Sequence, residues 1–128
     1  MKKEWLNELE TPCIVIDMGK TKENIRKMQE TASLYGCKLR PHIKTHKMPL
    51  FARMQIAAGA DGITCAKVSE AEVMAEGGID DIFIAYPLIG KVKIKRAISL
   101  LKKVKRLILA VDSMECAIPL NEAAKNAR

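Results

Sequence analysis

Short apolar runs alternate along this chain with longer stretches in which apolar residues recur at helical spacing. Residues 13–17 (Cys-Ile-Val-Ile-Asp) read as a first strand. The next stretch puts Ile25, Met28, Ala32 and Tyr35 on one helix face, and Gly36 supplies the stop. Residues 38–44 read as a second strand. Pro49 opens a helix whose expected buried face is Leu50, Phe51, Met54, Ala57 and Ala58, closed by Gly59. The third strand covers residues 62–66. Ser69-Glu70-Ala71-Glu72 has the pattern of a capping box at the head of the third helix, and Gly77-Gly78 ends it. Residues 81–86 form the fourth strand, stopped by Pro87. A basic helix follows over residues 91–104, and residues 107–111 are the fifth strand. Asp112-Ser113 offers a cap for a last helix, while Pro119 argues for a late start near residue 119.

The strands lack polar alternation, which implies burial on both faces and hence a parallel sheet covered by helices. Two closures fit a regular βα repeat: an open doubly wound sheet, or part of a (β/α)8 barrel. The turn after the first strand, Asp17-Met18-Gly19-Lys20, lacks the glycine-rich dinucleotide fingerprint, and no Walker A loop is present. The barrel is therefore favoured. A complete one needs about 250 residues. Five βα units in 128 residues predict the N-terminal part of such a barrel domain, with its remaining strands absent.

Composition sharpens this. Hydrophobic residues make up 48% and aromatics only 4%, so the core must be aliphatic. The net charge of +7 is concentrated between Lys91 and Arg106, where Ile94, Ala97, Ile98 and Leu101 recur among the basic residues. That is the pattern of a solvated helix face. A nucleic-acid module would need aromatics among those basic residues for stacking, and there are none. Cys13, Cys37, Cys65 and Cys116 form no CxxC pair, and three of the four lie in or beside apolar runs as small buried hydrophobes. No secretory signal and no bilayer-spanning run is evident. Reduced thiols and a cytoplasmic location fit best, with no membrane or nucleic-acid partner.

The residues with candidate chemistry are Arg40-Pro41-His42-Ile43-Lys44-Thr45-His46-Lys47, at a strand-to-helix junction. In βα folds catalytic groups gather at the carboxyl ends of strands. Those ends carry Lys44-Thr45-His46, Cys65-Ala66-Lys67, Tyr86-Pro87 and Asp112-Ser113. A lysine amine attacks an aldehyde only when neutral, and partial burial with nearby cations favours that form. Strand alternation puts Arg40, His42 and Lys44 on one face, where a phosphorylated aldehyde would offset their charge. The plainer alternatives are an exposed loop lysine for Lys44, satisfied structural histidines for His42 and His46, a solvated cap-region lysine for Lys67, and rim packing for Tyr86.

The Arg40–Lys47 element resembles the N-terminal region of the D-threonine aldolase and D-serine dehydratase group. Further resemblance lies in Thr11-Pro12, Ala58-Gly59-Ala60, the run from Cys65 to Val73, the run from Ile82 to Pro87, and Val111-Asp112-Ser113. The resemblance covers roughly residues 10 to 125. It implies an alanine-racemase-type barrel and pyridoxal 5'-phosphate held as a Schiff base on Lys44. Arg40, His42, Thr45, His46 and Tyr86 would line the cofactor pocket. The barrel proper would begin with the Lys44 strand, the strand at 13–17 packing outside it. The implied substrate is a β-hydroxy D-amino acid, cleaved to glycine and an aldehyde. Dehydration or racemisation on the same fold, or a pyridoxal-phosphate carrier without turnover, are the alternatives. The resemblance also implies a homodimer and a divalent metal held by a C-terminal β domain beyond this sequence. No metal ligand is assigned within it, and the fragment alone is expected to be inactive.

Overall fold

The computed structural model describes residues 4–127. Three parallel strands form one sheet in chain order: β1 (Ile63–Cys65), β2 (Asp81–Ile84) and β3 (Arg106–Leu109). Ile63 stands opposite Ile82, and Ile82 opposite Leu107. The helices are α1 (Met18–Leu34), α2 (Pro49–Ala57), α3 (Val68–Glu76), α4 (Lys91–Leu101) and α5 (Met114–Lys125). Each packs against the next in the chain, and α3 and α4 also lie on the strands. A doubly wound sheet reverses its strand order and sends helices to both faces. Sequential strands with an unbroken succession of helices are instead the winding of a barrel wall. The chain is α/β, with the arrangement of a partial (β/α)8 barrel.

The core is aliphatic, as the aromatic-poor composition predicts. Ile63, Cys65, Ile82 and Ile84 from the strands meet Val68, Ala71 and Met74 of α3 and Ala97 and Leu100 of α4. Successive strand residues point to opposite faces, so Thr64, Phe83 and Ile108 turn the other way. On α4, Ile94, Ala97 and Leu100 are buried and the basic side chains face solvent, while Leu101 is exposed.

Several expected elements take a different form. Residues 13–17 have no strand partner, and Ile14 is 92% exposed. Residues 38–44 are not a full strand. Pro41 has no N–H to give to a ladder, and the chain curls into a 3-10 turn at Ile43–Thr45. On α1 the packed side is Thr21, Ile25, Gln29 and Ala32, whereas Met28 and Tyr35 are exposed. On α2, Phe51 and Ala52 are buried, while Leu50, Ala57 and Ala58 are exposed. Helix α3 begins at Val68, which puts Ser69 inside it and removes Ser69 as a cap. Helix α5 begins at Met114 and not near Pro119. The Ser113 hydroxyl accepts the Cys116 N–H at 3.3 Å, nucleating a turn ahead of the proline, and buried Cys116 and Leu120 hold the helix on either side of it. Cys65 and Cys116 are buried, but Cys13 and Cys37 are exposed.

Candidate active site

Although Pro41 interrupts the ladder, residues 39–42 still run alongside β1. The Asp61 N–H donates to the Leu39 carbonyl at 2.8 Å and the Thr64 N–H to the Pro41 carbonyl at 2.7 Å. The Thr64 hydroxyl donates to the Arg40 carbonyl at 3.2 Å, and His42 forms a parallel bridge with Thr64. The chain then turns. Ile43 is fully buried and anchors the turn in the core, leaving Lys44 and Thr45 exposed on either face of that anchor.

The neighbours of Lys44 are spent on holding this turn. His42 caps it, its Nδ1 accepting the Lys44 N–H at 3.2 Å. The Ile43 carbonyl accepts the N–H groups of His46 at 3.1 Å and Lys47 at 2.7 Å. His46 Nδ1 accepts the Met48 N–H at 3.0 Å, fixing the backbone of the residue that precedes α2. Its ring meets Phe51 edge-on at 5.5 Å. Burial holds the His46 imidazole below the ordinary histidine value, and nearby Gln55 opposes this only in part. Neither His46 Nε2 nor Gln55 Oε1 closes a hydrogen bond among the described residues. Lys47 takes a left-handed backbone conformation, φ 53°. Among the described residues, the Lys44 ammonium has no ion-pair partner.

The register places this turn at the carboxyl end of the sheet. His42 is level with Thr64 and Phe83, so Lys44 lies past the strand ends, with Ala66-Lys67 after β1 and Ala85-Tyr86 after β2. The sheet closes there with the Ala85 N–H on the Cys65 carbonyl and the Ala110 N–H on the Ile84 carbonyl, each at 3.0 Å. Tyr86 is 69% exposed. With Lys67, Ala66 and Ser69 it lines a cleft of about 140 Å³. Cys65, one residue earlier, belongs to the core. Burial, then the Glu70 carboxylate, push its thiol up to about 12, so it has no nucleophilic role.

Arg40 sits lower. Its Nη1 donates to Asp81 Oδ1 at 2.8 Å, and its Nη2 lies 3.3 Å from the Asp61 carbonyl and 3.5 Å from Asp61 Oδ2. Asp81 is the first residue of β2, so this guanidinium is fixed at the amino-terminal end of the strands. Glu70 was read from the sequence only as part of a capping box. Glu70 is buried, and its Oε2 accepts the Ala66 N–H at 2.8 Å. Its Oε1 lies 3.5 Å from Lys47 Nζ. The available signal was an acid three places into a helix whose cap position, Lys67, offers no side-chain acceptor.

Among the described residues no cluster of three His, Cys, Asp or Glu side chains could hold a metal ion, and no helix is long and apolar enough to cross a membrane. A groove of about 480 Å³ between Lys91, Ile94 and Ile98 of α4 and Ala123 of α5 lies on the helical layer away from Lys44.

The chain is 39% identical over 108 residues to the D-threonine aldolase of Arthrobacter sp, a match covering 84% of this chain and 28% of that protein. It is 37% identical over 115 residues to the D-threo-3-hydroxyaspartate dehydratase of Delftia sp. (strain HT23), covering 90% of this chain and 30% of that one. The crystal structure of D-threonine aldolase from Filomicrobium marinum superposes with a TM-score of 0.92 at 35% identity, over 95% of this chain and 33% of that chain. The chain thus spans a third or less of the length of these relatives. Residues 16–128 match the model of the alanine racemase N-terminal domain, and with the same βα winding and the lysine turn at its carboxyl end, the chain belongs to that family.

Proposed function

We propose that these residues are part of a pyridoxal-phosphate-dependent lyase that cleaves a β-hydroxy D-amino acid to glycine and an aldehyde, with Lys44 as the covalent anchor of the cofactor. One observation carries this reading. Lys44 is exposed and has no ion-pair partner among the described residues, on a turn whose histidines and second lysine are all engaged in holding it at the strand ends. The residues present fit the aldehyde end of such a cofactor, because the amine is open to approach and Ile43 beneath it is fixed in the core.

When bound, the cofactor supplies an electron sink for charge developing at the substrate Cα. The chain's own residues do the rest. Lys44 Nζ would hold the cofactor's aldehyde carbon and could carry a proton. His42 fixes the backbone N–H of Lys44, holding the backbone from which its side chain leaves the turn. In this reading Thr45 and Tyr86 would line the cofactor pocket and His46 would steady the turn through the Met48 N–H, while Arg40 braces Asp61 and Asp81 at the opposite, amino-terminal end of the strands. The D-amino-acid substrate is supported by the relatives' named activities. A cytoplasmic homodimer is part of the proposal.

The similarity to the Delftia dehydratase favours a second reading on the same site, elimination of water followed by hydrolysis of the resulting imine, which takes a water back and releases ammonia and an α-keto acid. The test is reconstitution of the full-length protein with pyridoxal phosphate, borohydride reduction and peptide mapping, followed by product analysis on D-threonine. An adduct on Lys44 with glycine release supports the aldolase. An α-keto acid with ammonia supports the dehydratase. No adduct on Lys44 overturns both, and an adduct without turnover of β-hydroxy D-amino acids leaves a cofactor carrier.

A further inference from the structure

We infer that Glu70 is the positioning residue for the Lys44 turn, joining it to the loop after β1 through one buried carboxylate. This rests on the proposed role of Lys44 but concerns a residue that touches neither cofactor nor substrate. Glu70 reaches back from the first turn of α3 and is 8% exposed. A carboxylate so buried must be matched by donors, and its two oxygens divide the work. Oε2 accepts the Ala66 N–H at 2.8 Å, fixing the backbone where β1 ends. Oε1 faces Lys47 Nζ at 3.5 Å, on the far side of the Lys44 turn. Lys47 is also the one non-glycine residue with a positive φ among the described residues. A left-handed conformation at lysine is unfavourable and persists where surrounding structure fixes it. Its ammonium, reaching to Glu70, and its N–H, bound to the Ile43 carbonyl at 2.7 Å, are that structure.

The consequence is geometric. Lys44 lies on the turn that Lys47 closes, Lys67 lies on the loop that Ala66 opens, and Ser69 lies in the first turn of α3. Lys47, Lys67, Ser69 and Glu70 line a common cleft of about 260 Å³. Glu70 therefore sets the distance between the anchor amine and the neighbouring loop of the mouth.

The test is hydrogen exchange on the full-length protein without cofactor, in wild type, Glu70→Ala, Glu70→Gln and Lys47→Met, with cofactor uptake at Lys44 and kcat and KM measured in parallel. Glu70→Ala should speed exchange over residues 43–48 by up to about fivefold, the scale for losing an ion pair whose lysine is largely exposed. Glu70→Gln keeps an acceptor for Ala66, so the head of α3 should recover while residues 43–48 stay fast. Lys47→Met should reproduce the fast turn and leave α3 unchanged. Combining Lys47→Met with Glu70→Gln should add nothing over residues 43–48. Slowed cofactor uptake with a fall in kcat should accompany the fast turn. If Glu70→Ala loosens only α3 and leaves residues 43–48 as protected as in wild type, Glu70 is merely a helix cap and the inference fails. If wild type takes up no cofactor at Lys44, the proposed function fails, while the exchange data still judge the coupling.

Discussion

The guanidinium of Arg40 lies over Gly62 so closely that a Cβ on residue 62 would stand 2.0 Å from its Nη1. The same Cβ would stand 2.8 Å from the Asp81 carbonyl oxygen, which is backbone and cannot swing away. Glycine is thus the condition for Arg40 to span from its own segment across β1 to the start of β2. Gly62→Ala is expected to destabilise the fold by about 1–3 kcal/mol, the usual range for overpacking, measured by denaturant unfolding. Arg40→Ala in that background should recover only part of the loss, because the Asp81 contact remains.

Arg40 itself is expected to matter for stability. It is 17% exposed and holds Asp81 at 2.8 Å. Removing it leaves Asp81 with only Arg106, at 3.6 Å. Arg40→Met should cost about 1.5–3 kcal/mol, the range for hydrogen bonds to charged groups. A midpoint in urea indistinguishable from wild type would contradict this.

Lys44→Ala should behave in the opposite way. The side chain is exposed and makes no ion pair among the described residues, so unfolding stability should stay within about 0.5 kcal/mol of wild type. The pyridoxyl peptide containing residue 44 should vanish from the borohydride map.

His46 gives a pH dependence. Its imidazole is held below the ordinary value of 6.5, chiefly by burial. A lowered histidine pKa means the unfolded chain binds a proton that the folded one refuses. Stability should therefore be full above 6.5 and fall on acidification towards the folded value, where the slope ends. Protonation would also consume the lone pair that accepts the Met48 N–H. His46→Gln is expected to flatten this part of the stability profile, read from urea midpoints across the acid range.

The thiols should divide two and two. Cys65, pushed up to about 12, and buried Cys116 should resist alkylation at neutral pH in the native protein, while exposed Cys13 and Cys37 react. Mass mapping after brief iodoacetamide treatment reads this directly.

The helices were legible in the sequence because Gly36 and Gly78 follow α1 and α3 in left-handed conformations that glycine adopts readily, and Pro49 opens α2. The lysine turn was legible as chemistry because its residue types are hard to explain by packing. Its shape was not. Alternation through Lys44 assumed a continuous strand, and Pro41 removes the hydrogen bond that would sustain one. The run at 13–17 has the composition of a strand but finds no partner among the described residues, and composition does not report partners. Glu70 was read as part of a capping box because local spacing favours near neighbours, whereas its second oxygen faces a residue on a different loop. Asp61 and Asp81 escaped notice because they lie before their strands end, where a search for chemistry does not look.

The interruption at Pro41 has a consequence for how this family can diversify. The Lys44 amine rides on a segment joined to the sheet by few hydrogen bonds and steadied by side chains from neighbouring loops. Selection can therefore alter the reach and tilt of that amine by exchanging loop residues, without disturbing the strands that give the scaffold its stability. A wall of common design can in this way carry enzymes that break different bonds at the same carbon.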